Sequence, residues 1–267
     1  MVIDGPRMSD VSEEEESRCL AQFVETCSQG ARPILGVHLW THSPTRFLSN
    51  PVLTELLSRL AQSRVPVALQ VTVTGLGGTP VEPGIEPTSK AFAAMDRLLR
   101  SCRIPAERVC LRIDPLQAWE GPDSRLTNVD QIDTLLDLAG QRGLSRVRVS
   151  LIAYPRYASK IRPRLAARGL RMLPLSAAEI GRRLRTGISR GIDIRTCATD
   201  LVTHGIPAGS CFDFEWVTGR PLEAKARPVA ARKGCLCVCP ESVLLWKVPR
   251  RSSCAGRCLA CYAQEHI

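Results

Sequence analysis

From Pro33 onward, short apolar runs alternate with longer stretches in which apolar residues recur every three or four positions. Ile34 to Trp40 reads as a strand and Pro51 to Gln62 as an amphipathic helix. Pro66 to Thr74 is the next strand, and Thr88 to Cys102 the next helix, with the Thr88 hydroxyl as its expected cap. Arg108 to Asp114 is a strand, Asn128 to Arg142 a helix and Arg146 to Ala153 a strand. Pro155 to Arg168 has helical spacing, with a break expected at Pro163 because proline removes a donor and clashes with the preceding turn. Ser176 and Glu179 are spaced as a capping box opening a helix that runs to Arg190, and Ile192 to Ala198 closes the series as a strand.

A strand followed by a helix, repeated about every 30–40 residues, gives a mostly parallel sheet. The expected fold class is α/β, a complete or partial (β/α) TIM-like barrel, since strands buried on both faces read as continuous apolar runs. A flat doubly wound sheet is the alternative, but no Gly-x-Gly-x-x-Gly follows any strand. Gly75-Leu76-Gly77-Gly78 does follow a strand, yet no helix begins directly after it, so it is weak as a phosphate loop. Residues 1–16, with Glu13-Glu14-Glu15-Glu16, read as a solvated leader running into a helix from about Ser17 to Ser28. Three regions result: a leader and N-terminal helix over 1–32, a barrel core over 33–198, and a cysteine-rich metal-binding extension over 199–267 that packs on the barrel and closes its mouth.

Composition narrows this picture. A chain of 267 residues is long enough for one large core. The net charge is +10, but aromatic residues are only 4%, too few for base-stacking platforms, so nucleic acid is not the expected partner and the arginines read as a solvated surface. With no run of about eighteen apolar residues and an acidic start, neither a membrane span nor a signal peptide is expected. The compartment expected is the cytoplasm, where thiols stay reduced, so twelve cysteines are better read as ligands than as disulfides.

Eight of the twelve lie between Cys197 and Cys261. Cys254, Cys258 and Cys261 are spaced to converge from one tight loop on a single inorganic centre. Iron–sulfur clusters are normally held by four thiolates, so a three-cysteine loop leaves one iron open to a small molecule. Cys19, Cys27, Cys102 and Cys110 fall within helices and strands and are most simply small buried apolar residues.

The run Cys254-Ala255-Gly256-Arg257-Cys258-Leu259-Ala260-Cys261 resembles the cluster loop of radical S-adenosylmethionine (radical SAM) enzymes. Trp40-Thr41 with Ser43-Pro44, Gln70-Val71-Thr72-Val73-Thr74 leading to Glu82-Pro83 and Glu86-Pro87, and Arg112-Ile113-Asp114-Pro115 together resemble an uncharacterised bacterial and archaeal family. That family carries Cys-x-Cys and Cys-x3-Cys-x2-Cys-Tyr-Ala at its C-terminus, together with segments like Thr196-Cys197-Ala198 and Gly209-Ser210-Cys211. Its opening Ser-Arg-Arg-Thr-Asp segment is not reproduced in residues 1–32, its Asp-x-Gly after the Cys-x-Cys is replaced by apolar Val243-Leu244-Leu245-Trp246, and the usual aromatic before the last cysteine is Ala260.

The resemblance implies a 4Fe-4S cluster on Cys254, Cys258 and Cys261, S-adenosylmethionine as cofactor, a small-molecule substrate, and reduced ferredoxin or flavodoxin as electron donor. Cys197, Cys211, Cys237 and Cys239 match cysteines of the family pattern, and four is the number that a second cluster or a structural zinc requires. Cys235 is then left over; in a competing division, Cys235, Cys237 and Cys239 form a site of their own. In parallel barrels the active site lies at the C-terminal strand ends. Those ends supply Trp40, Thr41 and His42, then Thr72 and Thr74, then Arg112 and Asp114, then Tyr154, then Thr196 and Cys197. The candidate catalytic residues are Arg112, Asp114 and Glu82; Trp40, Thr41, Thr72, Thr74 and Tyr262 are the candidate cofactor-binding residues. Arg112 and Asp114 share one side of a strand, as a structural ion pair or as ligand contacts. Glu82 and Glu86 sit on a proline-rich loop that is either solvated or a lid. The function expected is SAM cleavage to start radical chemistry; the alternative is a zinc- or cluster-stapled basic binding module without catalysis.

Overall fold

The computed structural model describes residues 1–5, 10–102, 104–122, 124–152, 154–196, 199–222, 228–230, 238–240, 243–245, 254–259 and 261. The strands are β1 (Val2–Asp4), β2 (Gly36–Thr41), β3 (Val67–Thr72), β4 (Val109–Leu116), β5 (Ala118–Glu120), β6 (Arg125–Thr127), β7 (Arg146–Leu151), β8 (Arg171–Met172), β9 (Asp193–Thr196), β10 (Pro228–Ala230), β11 (Val238–Pro240) and β12 (Val243–Leu245). The helices are α1 (Glu14–Ser28), α2 (Pro44–Ser49), α3 (Pro51–Gln62), α4 (Thr88–Ser101), α5 (Ile132–Gly140), α6 (Tyr154–Ala166), α7 (Ala177–Ser189) and α8 (Phe214–Thr218). Among the described residues, seven strands form one sheet in the order β12-β1-β2-β3-β4-β7-β9, every pair parallel. The fold is α/β with a parallel sheet. β12 and β9 are the sheet's edges, so no closed barrel is formed among the described residues.

In β2, β3, β4, β7 and β9 successive residues alternate between two faces, and the two faces differ. Leu39, Leu69 and Val109 are in register, as are Val71, Leu111, Val147 and Ile194, and all of them are buried in the main core. Helices α1, α3, α4, α5 and α7 contribute Leu20, Leu56, Met95, Leu135 and Leu184 to that core, each less than 2% exposed. Complete burial of such a side chain is worth about 1.5–3 kcal/mol. The opposite face is polar, with Trp40, Gln70, Cys110, Arg146 and Asp193 in one cross-strand row and Thr72, Arg112, Arg148 and Arg195 in the next.

Most periodic segments form where their spacing predicts. α3 occupies the expected residues, Asn50 capping it by accepting from the Leu53 amide at 3.2 Å. Ser176 caps α7 by accepting from the Glu179 amide, also at 3.2 Å. Pro163 lies inside α6 and does not end it. Thr88 opens α4 as its first helical residue while Pro87 holds the cap position, with no side-chain cap bond.

One expectation is corrected. Residues 1–16 are not a solvated leader throughout: Val2, Ile3 and Asp4 form β1, all but inaccessible to solvent, between β12 and β2. The chain after Thr196 also takes part in the packing of the sheet. Phe212, Trp216 and Val217 pack on Val2, Ala68 and Cys110 and fill part of the polar face from within. α8 is pinned there by the Trp216 indole, which donates to the Glu107 carbonyl at 2.7 Å, and by Asp213, which accepts from the Trp216 amide at 3.0 Å and pairs with Arg146 at 2.9 Å. β12 adds a further sheet strand from the same tail. No helix among the described residues is long and apolar enough to cross a membrane.

Gly36 sits under α8, where an added Cβ would stand 2.8 Å from the Val217 carbonyl oxygen. Gly36→Ala is expected to push α8 outward and cost about 1–3 kcal/mol. Thermal denaturation checks this, and an unchanged Tm contradicts it.

Candidate functional site

The C-terminal end of β2 is fixed by a buried carboxylate. Asp10, 4% exposed, accepts from the Thr41 hydroxyl at 2.8 Å, the His42 amide at 2.7 Å and the Ser12 amide at 2.9 Å. Three donors satisfy a charge that would otherwise be costly to bury. His42 is thereby set at the rim of the sheet.

The chain beyond β3, residues 73–87, forms the second wall. Gly75 and Gly78 have φ of +88° and +79°, a left-handed backbone that glycine adopts without a Cβ clash. These glycines therefore shape a turn. Glu82 is only 2% exposed; it accepts from the Thr74 hydroxyl at 2.6 Å and from the side-chain amide of Gln117 at 3.4 Å. Glu86 instead closes the corner before α2, accepting from the Ser43 hydroxyl at 2.7 Å and the Thr45 amide at 2.9 Å.

The three-cysteine loop is docked on that wall. The Gly84 amide donates to the Gly256 carbonyl at 3.1 Å, and the Leu259 amide donates to the Val81 carbonyl at 2.9 Å. Leu259, 3% exposed, enters a small apolar cluster with Leu76, Val81, Trp119, Ile161, Leu165 and Leu170. From the other side, Glu13 accepts from the Ala255 amide at 3.1 Å while pairing with Arg46 at 3.1 Å, and the Arg164 guanidinium donates to the Cys261 carbonyl at 2.7 Å. Cys254, Cys258 and Cys261 are all partly exposed and none is in a disulfide.

The sulfurs of Cys254 and Cys258 share one small cradle. A Cβ added to Gly256 would lie 3.4 Å from Cys254 Sγ, 3.5 Å from Cys258 Sγ and 2.9 Å from Ile85 Cδ1, so the two sulfurs are no farther apart than the sum of the first two distances. Burial pushes the Cys254 thiol up to about 12, the nearby Asp10 and Glu13 carboxylates adding to the effect and the Gly256 amide opposing it. Burial likewise raises Cys258, with His42 pulling the other way. Burial thus disfavours both thiolates, and a cation beside them would favour them. Among the described residues, no three or more histidine, cysteine or carboxylate side chains close around a single ion.

His42 stands between this loop and Glu82. Its Nδ1 is 3.8 Å from Cys258 Sγ and its Nε2 is 3.5 Å from Glu82 Oε2, the latter out of line for a hydrogen bond. Burial alone would lower its pKa, but Glu82 and Cys258 outweigh that and hold it well above the usual histidine range.

Arg112 and Asp114 point to the same polar face and form an ion pair, with side-chain exposures of 12% and 14%. Arg112 also donates to Gln70 Oε1 at 2.9 Å and to Cys211 Sγ at 3.3 Å, and its guanidinium lies 4.9 Å from the centre of the Trp40 ring. Asp114 accepts in addition from the Ser150 hydroxyl. The Trp40 indole donates to Asp4 Oδ1 at 2.9 Å.

The expected residues thus separate into three groups. Cys254, Cys258, Cys261 and Glu82 come together at one rim, while Trp40, Arg112, Asp114 and Cys211 come together on the polar face with Gln70. Thr41 and Thr74 spend their hydroxyls on Asp10 and Glu82, and Thr72 is half-buried in register with Arg112. Cys197, Cys235, Cys237 and Tyr262 lie outside the described residues; Cys239 lies in β11, whose side chains are not described. Sequence reasoning missed the parts played by Asp10, Glu13, Gly84 and Gln117. Only Glu13 carried a visible signal, an acidic run, and it suggested solvent.

Gly84 admits no side chain, because an added Cβ would stand 1.8 Å from the Ala255 carbonyl oxygen, a backbone atom that no rotamer change can move. Gly84→Ala is expected to release residues 254–261 and leave the sheet intact. Faster amide exchange at Leu259 with unchanged exchange in β2 and β3 is the predicted result, and retained protection at Leu259 contradicts it.

A family model described as "Domain of unknown function (DUF1848)" matches residues 16–263. No curated protein matches the chain.

Proposed function

The chain belongs to the DUF1848 family, and we propose that it is an iron–sulfur enzyme of the radical SAM type acting on a small-molecule substrate. The observation that carries this reading is the docking of the Cys254, Cys258 and Cys261 loop at the C-terminal rim of a parallel sheet, where enzymes of α/β architecture build their sites. The donor set fits a 4Fe-4S cluster. Three thiols rise from one short loop, two of them around a common cradle, and a cubane takes one thiolate per iron, a wider arrangement than a shared ion.

When bound, the cluster supplies the electron that cleaves the sulfonium of S-adenosylmethionine to a carbon radical. The chain's own residues hold, orient and exclude water. Asp10 fixes the end of β2 that carries His42, Glu13 holds one flank of the cysteine loop, and Leu259 seals it from beneath. Trp40, Thr72, Arg112 and Asp114 face the space above the sheet, and we assign them to cofactor and substrate. The mutually paired Arg112 and Asp114 offer a fixed donor and acceptor there without a net buried charge. Glu82 is reassigned from catalysis to support, since it lies buried behind His42.

The same proposal includes a partial (β/α) barrel whose mouth the tail closes, a second cluster or zinc on Cys197, Cys211, Cys237 and Cys239, reduced ferredoxin or flavodoxin as donor, and the cytoplasm as compartment. Tyr262 next to Cys261 is included among the cofactor contacts.

Anaerobic reconstitution with iron and sulfide tests the reading. A brown protein is expected whose electron paramagnetic resonance spectrum changes on addition of SAM and which releases 5′-deoxyadenosine or methylthioadenosine. Cys258→Ala is expected to abolish that response. A colourless wild-type protein that takes up zinc in place of iron and sulfide contradicts it.

A further inference from the structure

The imidazole of His42 has two different neighbours, a cysteine sulfur on one edge and a buried carboxylate on the other. Nδ1 faces Cys258 Sγ at 3.8 Å, within reach of a hydrogen bond to sulfur, and Nε2 faces Glu82 Oε2 at 3.5 Å. Neither neighbour is free to turn away. Glu82 is held by Thr74 and Gln117, and the Cys258 segment is held by the Leu259–Val81 backbone bond. His42 is itself placed by its backbone amide on Asp10. Groups that hydrogen-bond a ligating atom from outside the coordination sphere orient it and tune the metal centre it binds.

We propose that His42 is a positioning residue for the cluster, donating its Nδ1–H to the sulfur of Cys258 and thereby raising the cluster's reduction potential. The inference rests on the radical SAM reading above. A hydrogen bond to a ligating sulfur withdraws charge from it and favours the reduced cluster, which carries one more negative charge. Glu82 lies 3.5 Å from the outer edge of the ring, on the side away from the sulfur.

Two substitutions separate this role from simple packing. His42→Asn keeps an N–H near the Nδ1 position, whereas His42→Gln carries its amide nearer the Nε2 position. The full-length proteins are reconstituted anaerobically, assayed for iron and sulfide, and titrated by spectroelectrochemistry. At equal iron content, H42N is expected to keep the wild-type reduction potential and H42Q to show a more negative one. Equal potentials for H42N and H42Q, or a shift in H42N as large as that in H42Q, overturn the proposal. Failure of the wild-type protein to bind iron and sulfide overturns the enzymatic reading instead, so the two failures are distinguishable.

Discussion

Two backbone hydrogen bonds, Gly84 to Gly256 and Leu259 to Val81, join the cysteine loop to the wall that follows β3, and the candidate chemistry depends on that junction. Each such bond is worth about 1 kcal/mol net, and burying Leu259 adds about 2 kcal/mol more. Against this stand the entropy of ordering the loop and the desolvation of its thiols. Burial pushes the Cys254 thiol up to about 12, a cost to its thiolate at this one position. A cationic partner would offset that cost, and the three-cysteine spacing, docked at the sheet's rim, is why we read the loop as a ligand set and not as a structural turn.

The sheet supplies the complementary half. Its helix-covered face is a continuous apolar core, whereas the other face carries charges that neutralise one another: Arg112 with Asp114, Arg146 with Asp213, Arg148 with Asp193. Phe212, Trp216 and Val217 occupy that face against Val2, Ala68 and Cys110. The Arg112 and Asp114 pair lies farther along β4, toward its C-terminal end, in the direction in which the strands deliver His42. Asp10 and Glu13, from the stretch before α1, reach the same rim from the opposite flank.

The long periodic segments were legible in the sequence because each buries a stripe or a run large enough to show a period. α3, α7, β3 and β4 all lie close to where the spacing predicts. β1 was not legible: three residues beside an acidic stretch have no period, and only pairing with β2 and β12 makes Val2–Asp4 a strand. α8 escaped for the same reason, its five residues being defined by what Trp216 and Val217 pack against. The polar face left a trace in the Arg146, Arg148, Ser150 alternation of β7, at odds with the expectation of strands apolar on both faces. The cysteine loop was legible from spacing alone, but its supports were not. Glu13, Gly84 and His42 are far from it in the chain, and nothing in their neighbours reveals that their atoms meet its backbone or sulfur.

The central claim is that three thiolates from one loop hold a cluster with one iron left open. Mössbauer spectroscopy of anaerobically reconstituted, isotope-enriched protein, with and without S-adenosylmethionine, tests it most directly. The account predicts that one iron environment of the cluster changes on addition of the cofactor while the rest keep their parameters. Iron environments that are all indifferent to the cofactor would contradict it.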